Sequence, residues 1–141
     1  MSRTEHLFVY GTLRVKFPHP MALQLAAAAR FVGEGSVPGV LYSLGTYPGA
    51  TLDPNAATRV IGDVFALPRD GSLLADLDAY EATSKEDEPY NRVRVDVRMA
   101  SGQLIPCWTY ELGNVPRRAR RIPTGDFLLH RRAQKPRKDR P

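Results

Sequence analysis

Two short stretches hold residues whose types and spacing could do chemistry. Glu81 closes the run "SLLADLDAYE", four residues after Leu77 and eight after Leu73. On a helix those three positions share one stripe, which the leucines mark as core-facing. Asp76 and Asp78 fall on other faces. Burial and the C-terminal end of a helix dipole both favour the neutral form of a carboxyl group. A general base working near neutral pH needs that push, because an ordinary Glu titrates near about 4.3. The same position also suits a frayed, solvated helix end, and the spacing leaves both readings open. The second stretch is Tyr10-Gly11-Thr12-Leu13, where the apolar run "HLFVY" breaks into a turn. Gly11 permits a close approach or an unusual φ. Successive backbone N–H groups there can cradle a carboxylate or phosphate. A plain turn uses the same residues.

Other chemistries find little support. Cys107 is the one cysteine and lies in the apolar run "LIPCWTYEL", which predicts a small buried core residue. His6, His19 and His130 are not spaced as a ligand pair, so neither a metal nor a histidine-activated thiol is expected. Neither G-x-x-x-x-G-K-[ST] nor G-x-G-x-x-G occurs. No apolar run is long enough for a membrane helix, and "MSRTEHLF" does not read as a secretory signal, so cytoplasm is the expected location.

The formal charge of +5 is concentrated at one end. Residues 131–141, "RRAQKPRKDRP", carry six basic side chains against Asp139, so the residues before them are formally neutral. Residues 1–129 are expected to form one domain and 130–141 a basic, disordered tail. The tail and the cluster "RRARR" at 117–121 read as solvated surface. At most they offer weak, salt-dependent contact with nucleic-acid phosphates.

The elements that must position Glu81 and residues 10–13 follow from periodicity. Residues 6–10 predict a first strand buried on both faces. "HPMALQLAAAARFVG", 19–33, predicts a helix with Pro20 in its first turn and Gly33 past its end. Short strands with Gly/Pro punctuation are expected to follow. Residues 57–68 predict a strand and 70–82 a short helix. Along 90–100, Val93, Val95, Val97 and Met99 alternate with Arg92, Arg94, Asp96 and Arg98, which predicts a strand. "SGQ" then turns the chain, and "LIPCWTYEL" returns as its hairpin partner. Five to seven strands with two or three helices, without regular βαβ alternation, indicate an α+β fold with a bent, mostly antiparallel sheet or barrel.

Seven stretches, taken in order, sharpen the picture: "VYGTLR", "GVLYSLGTYPGA", "VIGDVFAL", "LDAYEA", "YNRVRVDV", "CWTYEL" and "IPTGDF". Together they resemble the gamma-glutamylcyclotransferase-like family over residues 6–129, most closely its small members such as gamma-glutamylamine cyclotransferase. The resemblance implies a small barrel with a pocket at its mouth. It implies that Tyr10, Gly11, Thr12 and Leu13 form the substrate loop, holding the α-carboxylate end of a gamma-glutamyl group. It implies that Glu81 is the catalytic acid/base, with Asp78 a structural or capping residue. The family has Gly where this chain has Ala82, and a Gly there takes φ > 0 that Ala would resist. Tyr110 is a lesser candidate for the pocket, and Arg92 for pairing with an acid nearby. Asp126 reads as a cap and Trp108 as core.

The implied reaction asks little of the protein in the way of reactive groups. A gamma-glutamyl amide carries its own nucleophile, the α-amine, which closes a five-membered ring on the γ-carbonyl. The protein must hold that chain folded and move one proton. The products would be 5-oxoproline and a free amine or amino acid, with no cofactor and no metal. The alternative is a non-catalytic protein on the same fold that binds gamma-glutamyl or other carboxylate ligands.

Overall fold

The computed structural model describes residues 4–11, 13–14, 20–44, 48–68, 71–84 and 90–134, with Met21 and residues 80–84 and 132–134 described by backbone alone. In chain order the elements are β1 (His6–Val9), α1 (Pro20–Ala28), β2 (Arg30–Ser43), β3 (Pro48–Leu52), β4 (Arg59–Ala66), α2 (Ser72–Ser84), β5 (Tyr90–Met99), β6 (Leu104–Leu112), β7 (Arg120–Arg121) and α3 (Phe127–Gln134). The expected α+β barrel is present.

Strands run in the order β2-β4-β1-β6-β5, and β5 returns to β2 at Gly35↔Met99 and Ser36↔Arg98, closing a five-stranded barrel. Among the described residues only β1 and β6 pair in parallel, at Leu7↔Trp108; the other described ladders are antiparallel. β2 is long enough to serve two ladders. Residues Arg30–Pro38 pair with β4, and Gly39–Ser43 pair with β3. β7 adds a short second partner at Tyr42 and Ser43.

Alternation sorts the side chains into two layers. Phe8, Val60, Val64, Val97 and Cys107 fill the barrel, with Tyr10, Leu41 and Phe127. Leu7, Val9 and Phe65 point outward to meet Leu25 of α1 and Leu73 and Leu77 of α2. β1 is therefore buried on both faces, as its unbroken apolar run predicts. The alternations of β4 and β5 are also realised.

Several expectations change. The helix predicted over 19–33 is helical only at Pro20–Ala28, and from Arg30 the chain is strand. The Ala-rich run has intrinsic helix preference. The pairing of Arg30 with Ala66 and Phe31 with Phe65 overrides it. Gly33 lies at a register shift in this ladder rather than at a helix end. The predicted short strands of 34–43 are one continuous strand. In the cluster 117–121, Arg120 and Arg121 are strand rather than loop. Helix α3 extends to Gln134, so the expected tail begins in a helix; residues 135–141 lie outside the described residues.

Trp108 is not core. Its cross-strand partner is Arg94, and this face of the β5–β6 ribbon points outward. The guanidinium carbons of Arg92 and Arg94 sit 4.3 and 4.6 Å from its ring centroid. Its indole N–H donates to Glu5, at 3.4 Å.

Candidate active site

β1 ends with Val9 opposite Asp63, and the chain turns at once. The Arg14 N–H donates to the Gly11 carbonyl at 3.1 Å, closing a tight turn over residues 11–14. Tyr10 enters this turn from inside the barrel. Its hydroxyl donates to the Tyr110 carbonyl at 2.6 Å and accepts from the Ala50 N–H at 3.1 Å. It thereby ties the turn to β6 and β3. Gly11 is buried, and a Cβ there would lie 2.5 Å from Pro48 Cγ. It is not among the glycines with positive φ, so what it supplies is close approach. The body approached is Pro48, at the start of β3. Thr12 lies outside the described residues. Leu13 is buried in the outer apolar layer.

α2 approaches the turn from the other side. Leu13 shares one apolar cluster with Leu73, Leu77 and Tyr110, so residues about sixty apart in sequence pack together. A polar tie reinforces the contact. The Tyr110 hydroxyl donates to Asp78 Oδ1 at 2.6 Å, and Arg92 Nε donates to the same oxygen at 3.1 Å. Arg92 thus pairs with an acid beside the site. Asp78 is more than a surface or capping residue: it fastens α2 to the β5–β6 ribbon. Tyr90 adds a further hydroxyl at this end of the barrel, donating to the Pro48 carbonyl at 2.6 Å.

Residue 81 follows Leu77 and Asp78 by one helical turn, and its side chain is not among those described. The helix continues through Ala82 to Ser84, and no described non-glycine residue has positive φ. Ala82, a strong helix former, therefore extends α2 instead of being forced into the left-handed conformation that a Gly would favour.

Arg14 escapes a reading based on the motif alone. It is buried, and its guanidinium donates to Glu34 at 2.8 Å, Asp126 at 3.1 Å and Asp63 at 3.2 Å. Burial opposes its charge, but Asp63, Asp126 and Glu34 outweigh that and hold its pKa above the ordinary value. One sequence signal existed: Asp63 is a lone charge in the apolar strand "VIGDVFAL". Asp126 also accepts from the Leu129 N–H at 3.1 Å, the capping role expected of it.

Cys107 is buried in the barrel, and burial first of all pushes its thiol up to about 12. It is inert as a nucleophile. Where β3 and β5 stay apart, a groove of about 470 Å³ opens, lined by Leu52, Arg59, Val93, Arg98 and Glu111 among others. It lies at the Leu52 end of β3, whereas Gly11 packs at the Pro48 end. Among the described residues, Tyr10, Gly11, Leu13 and Tyr110 do not line it.

The family model for "Gamma-glutamyl cyclotransferase, AIG2-like" matches residues 7–129. The chain belongs to the gamma-glutamyl cyclotransferase, AIG2-like family. A Drosophila melanogaster relative of this family, named "Putative gamma-glutamylcyclotransferase CG2811", is 30% identical over 121 residues, 78% of this chain and 71% of the relative. Among solved structures the fold resembles YkqA from Bacillus subtilis, with TM-score 0.74 and 21% identity. That match covers 96% of this chain but only 44% of YkqA. An AIG2-like protein from Mus musculus matches with TM-score 0.66 and 22% identity, covering 99% of this chain and 100% of that one. At those identities the two structures establish the shared fold of the family and nothing finer. Among the described residues no helix is long and apolar enough to cross a membrane.

Proposed function

We propose that this member of the family is a gamma-glutamyl cyclotransferase. It would convert a gamma-glutamyl amine or amino acid to 5-oxoproline and release the amine. The observation that supports the reading best is the meeting of the 10–14 turn with α2, through Leu13, Leu77 and Tyr110 and the Tyr110–Asp78 hydrogen bond. This chemistry needs an acid/base carboxylate on a helix and a substrate-binding turn at one end of the barrel, and the apolar cluster shared by α2 and the 10–14 turn supports that reading.

In the proposed reaction, residues 10–13 grip the α-carboxylate through backbone N–H groups. Glu81 takes a proton from the α-ammonium. The freed amine attacks the γ-carbonyl carbon, and a new C–N bond closes the ring. Backbone N–H groups stabilise the oxyanion that forms. The ring nitrogen gives up its second proton to solvent, and the intermediate collapses by breaking the bond to the leaving amine, which receives the proton from Glu81. Tyr110 serves the site mainly from behind, since its hydroxyl is engaged by Asp78. The substrate is a small molecule, and the reaction consumes no cofactor.

The test is release of 5-oxoproline from a panel of gamma-glutamyl amines and gamma-glutamyl amino acids, with Glu81→Gln as comparison. Turnover by the wild type and a loss of at least a hundredfold in kcat for Glu81→Gln is expected. Equal turnover by both removes Glu81 from the mechanism. Thermal stabilisation by these compounds without any product would instead identify a binding protein on the same fold.

A further inference from the structure

The 10–14 turn is anchored at both ends, and the two anchors differ in kind. Tyr10 is held inside the barrel by neutral hydrogen bonds. Arg14 is held outside it by charge. The ladders explain how Arg14 gets there. Val9, the last residue of β1, pairs with Asp63, and Asp63 pairs with Glu34 on the far side of β4. Asp63 and Glu34 therefore stand together on the outer face beside the point where β1 ends. The turn doubles back and brings the Arg14 guanidinium onto them. Asp126, at the start of α3, supplies the third carboxylate.

We propose that Arg14 is a positioning residue that sets the conformation of the substrate turn, with Asp63, Asp126 and Glu34 as its fixed supports. The inference rests on the reading of residues 10–13 as the substrate turn. Burial makes the arrangement directional. The Arg14 and Asp63 side chains are only 4% and 3% exposed, so neither charge can be left behind in water when the turn moves. Glu34 is 62% exposed and contributes the least of the three. Asp126 serves two partners at once, so α3 cannot shift its first turn without disturbing Arg14. A turn pinned by a tyrosine at its first position and by a buried arginine at its last would lose little entropy on binding a ligand.

Ground-state binding should suffer more than chemistry when this support is removed, because a carboxylate grip acts equally on substrate and transition state. Three variants separate the possibilities. Arg14→Met combined with Asp63→Asn removes both buried charges and orphans neither. Asp126→Asn keeps a good helix cap and removes one arm. Arg14→Lys keeps the charge but not the fork of donors. Arg98→Gln controls for lost positive charge elsewhere. Two readouts are needed: amide hydrogen exchange at Gly11, Leu13 and Arg14 relative to Val60–Phe65, and KM and kcat on a gamma-glutamyl amine.

For the double variant, exchange in the turn should accelerate at least tenfold while β4 stays protected. KM should rise at least tenfold with kcat within about threefold. Asp126→Asn should show smaller changes of the same kind, Arg14→Lys should recover part of both, and Arg98→Gln should match the wild type. A folded double variant, or a folded Asp126→Asn if the double variant does not fold, with wild-type exchange in the turn and wild-type KM overturns the proposal. So does faster exchange spread evenly over the turn and β4. If the wild type releases no 5-oxoproline from any substrate, the functional reading fails, and exchange alone still decides whether Arg14 holds the turn.

Discussion

Replacing Tyr10 by Phe removes one oxygen atom and tests whether the proposed substrate turn is held from inside the barrel. The hydroxyl has two partners: it donates to the Tyr110 carbonyl and accepts from the Ala50 N–H, at 2.6 and 3.1 Å. Ala50 is fully buried, and Tyr10 and Tyr110 are each 6% exposed, so water does not readily replace the lost oxygen. A buried polar group left without its partner costs about 1–3 kcal/mol. Two such groups put the expected loss at about 2–6 kcal/mol, with no cavity contribution because the ring remains. Tyr90→Phe is the internal comparison. Its hydroxyl donates to the Pro48 carbonyl at 2.6 Å from a half-buried position, which sets its loss at about 1 kcal/mol. Urea unfolding monitored by circular dichroism reads both, and the m-value should not change. A loss below about 0.5 kcal/mol for Tyr10→Phe, or a loss no larger than that of Tyr90→Phe, would refute the claim that Tyr10 is the inner anchor.

Three further outcomes follow from the same structure. A double-mutant cycle of Tyr110→Phe and Asp78→Asn should give a coupling of about 1 kcal/mol in unfolding free energy, since the 2.6 Å bond is charge-assisted but half-exposed; additive losses would place the tie elsewhere. Cys107, buried with its thiol pushed up to about 12, should resist iodoacetamide at pH 8 in the native protein and react fully in denaturant, read by mass spectrometry. His6 has its pKa lowered below 6.5, first by burial and then by Arg30. The unfolded chain therefore binds a proton more readily, so this contribution to stability is present above about pH 6.5 and is lost as pH falls through the folded value. Melting temperatures between pH 7.5 and 5 should fall less steeply in His6→Gln than in the wild type.

Local signals carried most of the barrel. The alternation in "YNRVRVDVRM" placed Val93, Val95 and Val97 inside and the arginines outside, because a pleated strand can bury only one parity of side chain. Glycine, proline and "SGQ" punctuation marked the turns. Those same rules failed at residues 29–33, where the alanine-rich run continued a helix on paper. Pairing with β4, some thirty residues away, claims Arg30 and Phe31 for the sheet. Trp108 was legible only in part: it packs half-buried against the outer apolar layer, and the register with Arg94 brings arginines over its ring. The motif order pointed to the substrate turn and to α2. Its one sign of a buried Arg14 was Asp63, a lone acid in an apolar strand, because a guanidinium is buried only where carboxylates from distant segments meet it.

The sequence by itself determined the strand alternation, the likeness to the cyclotransferase family and the two segments proposed to do its chemistry. Tertiary structure decided that those segments meet. Closure of the barrel between β2 and β5 and the packing of α2 on its outer layer place Leu13 and Leu77 in one apolar cluster and bring Tyr110 against Asp78. It also decided what holds the turn, by assembling Glu34, Asp63 and Asp126 around Arg14 from three separate elements. Periodicity reports which face of one element seeks the core. Which distant side chains share that place depends on ladder register and closure, and those exist only once the chain is folded.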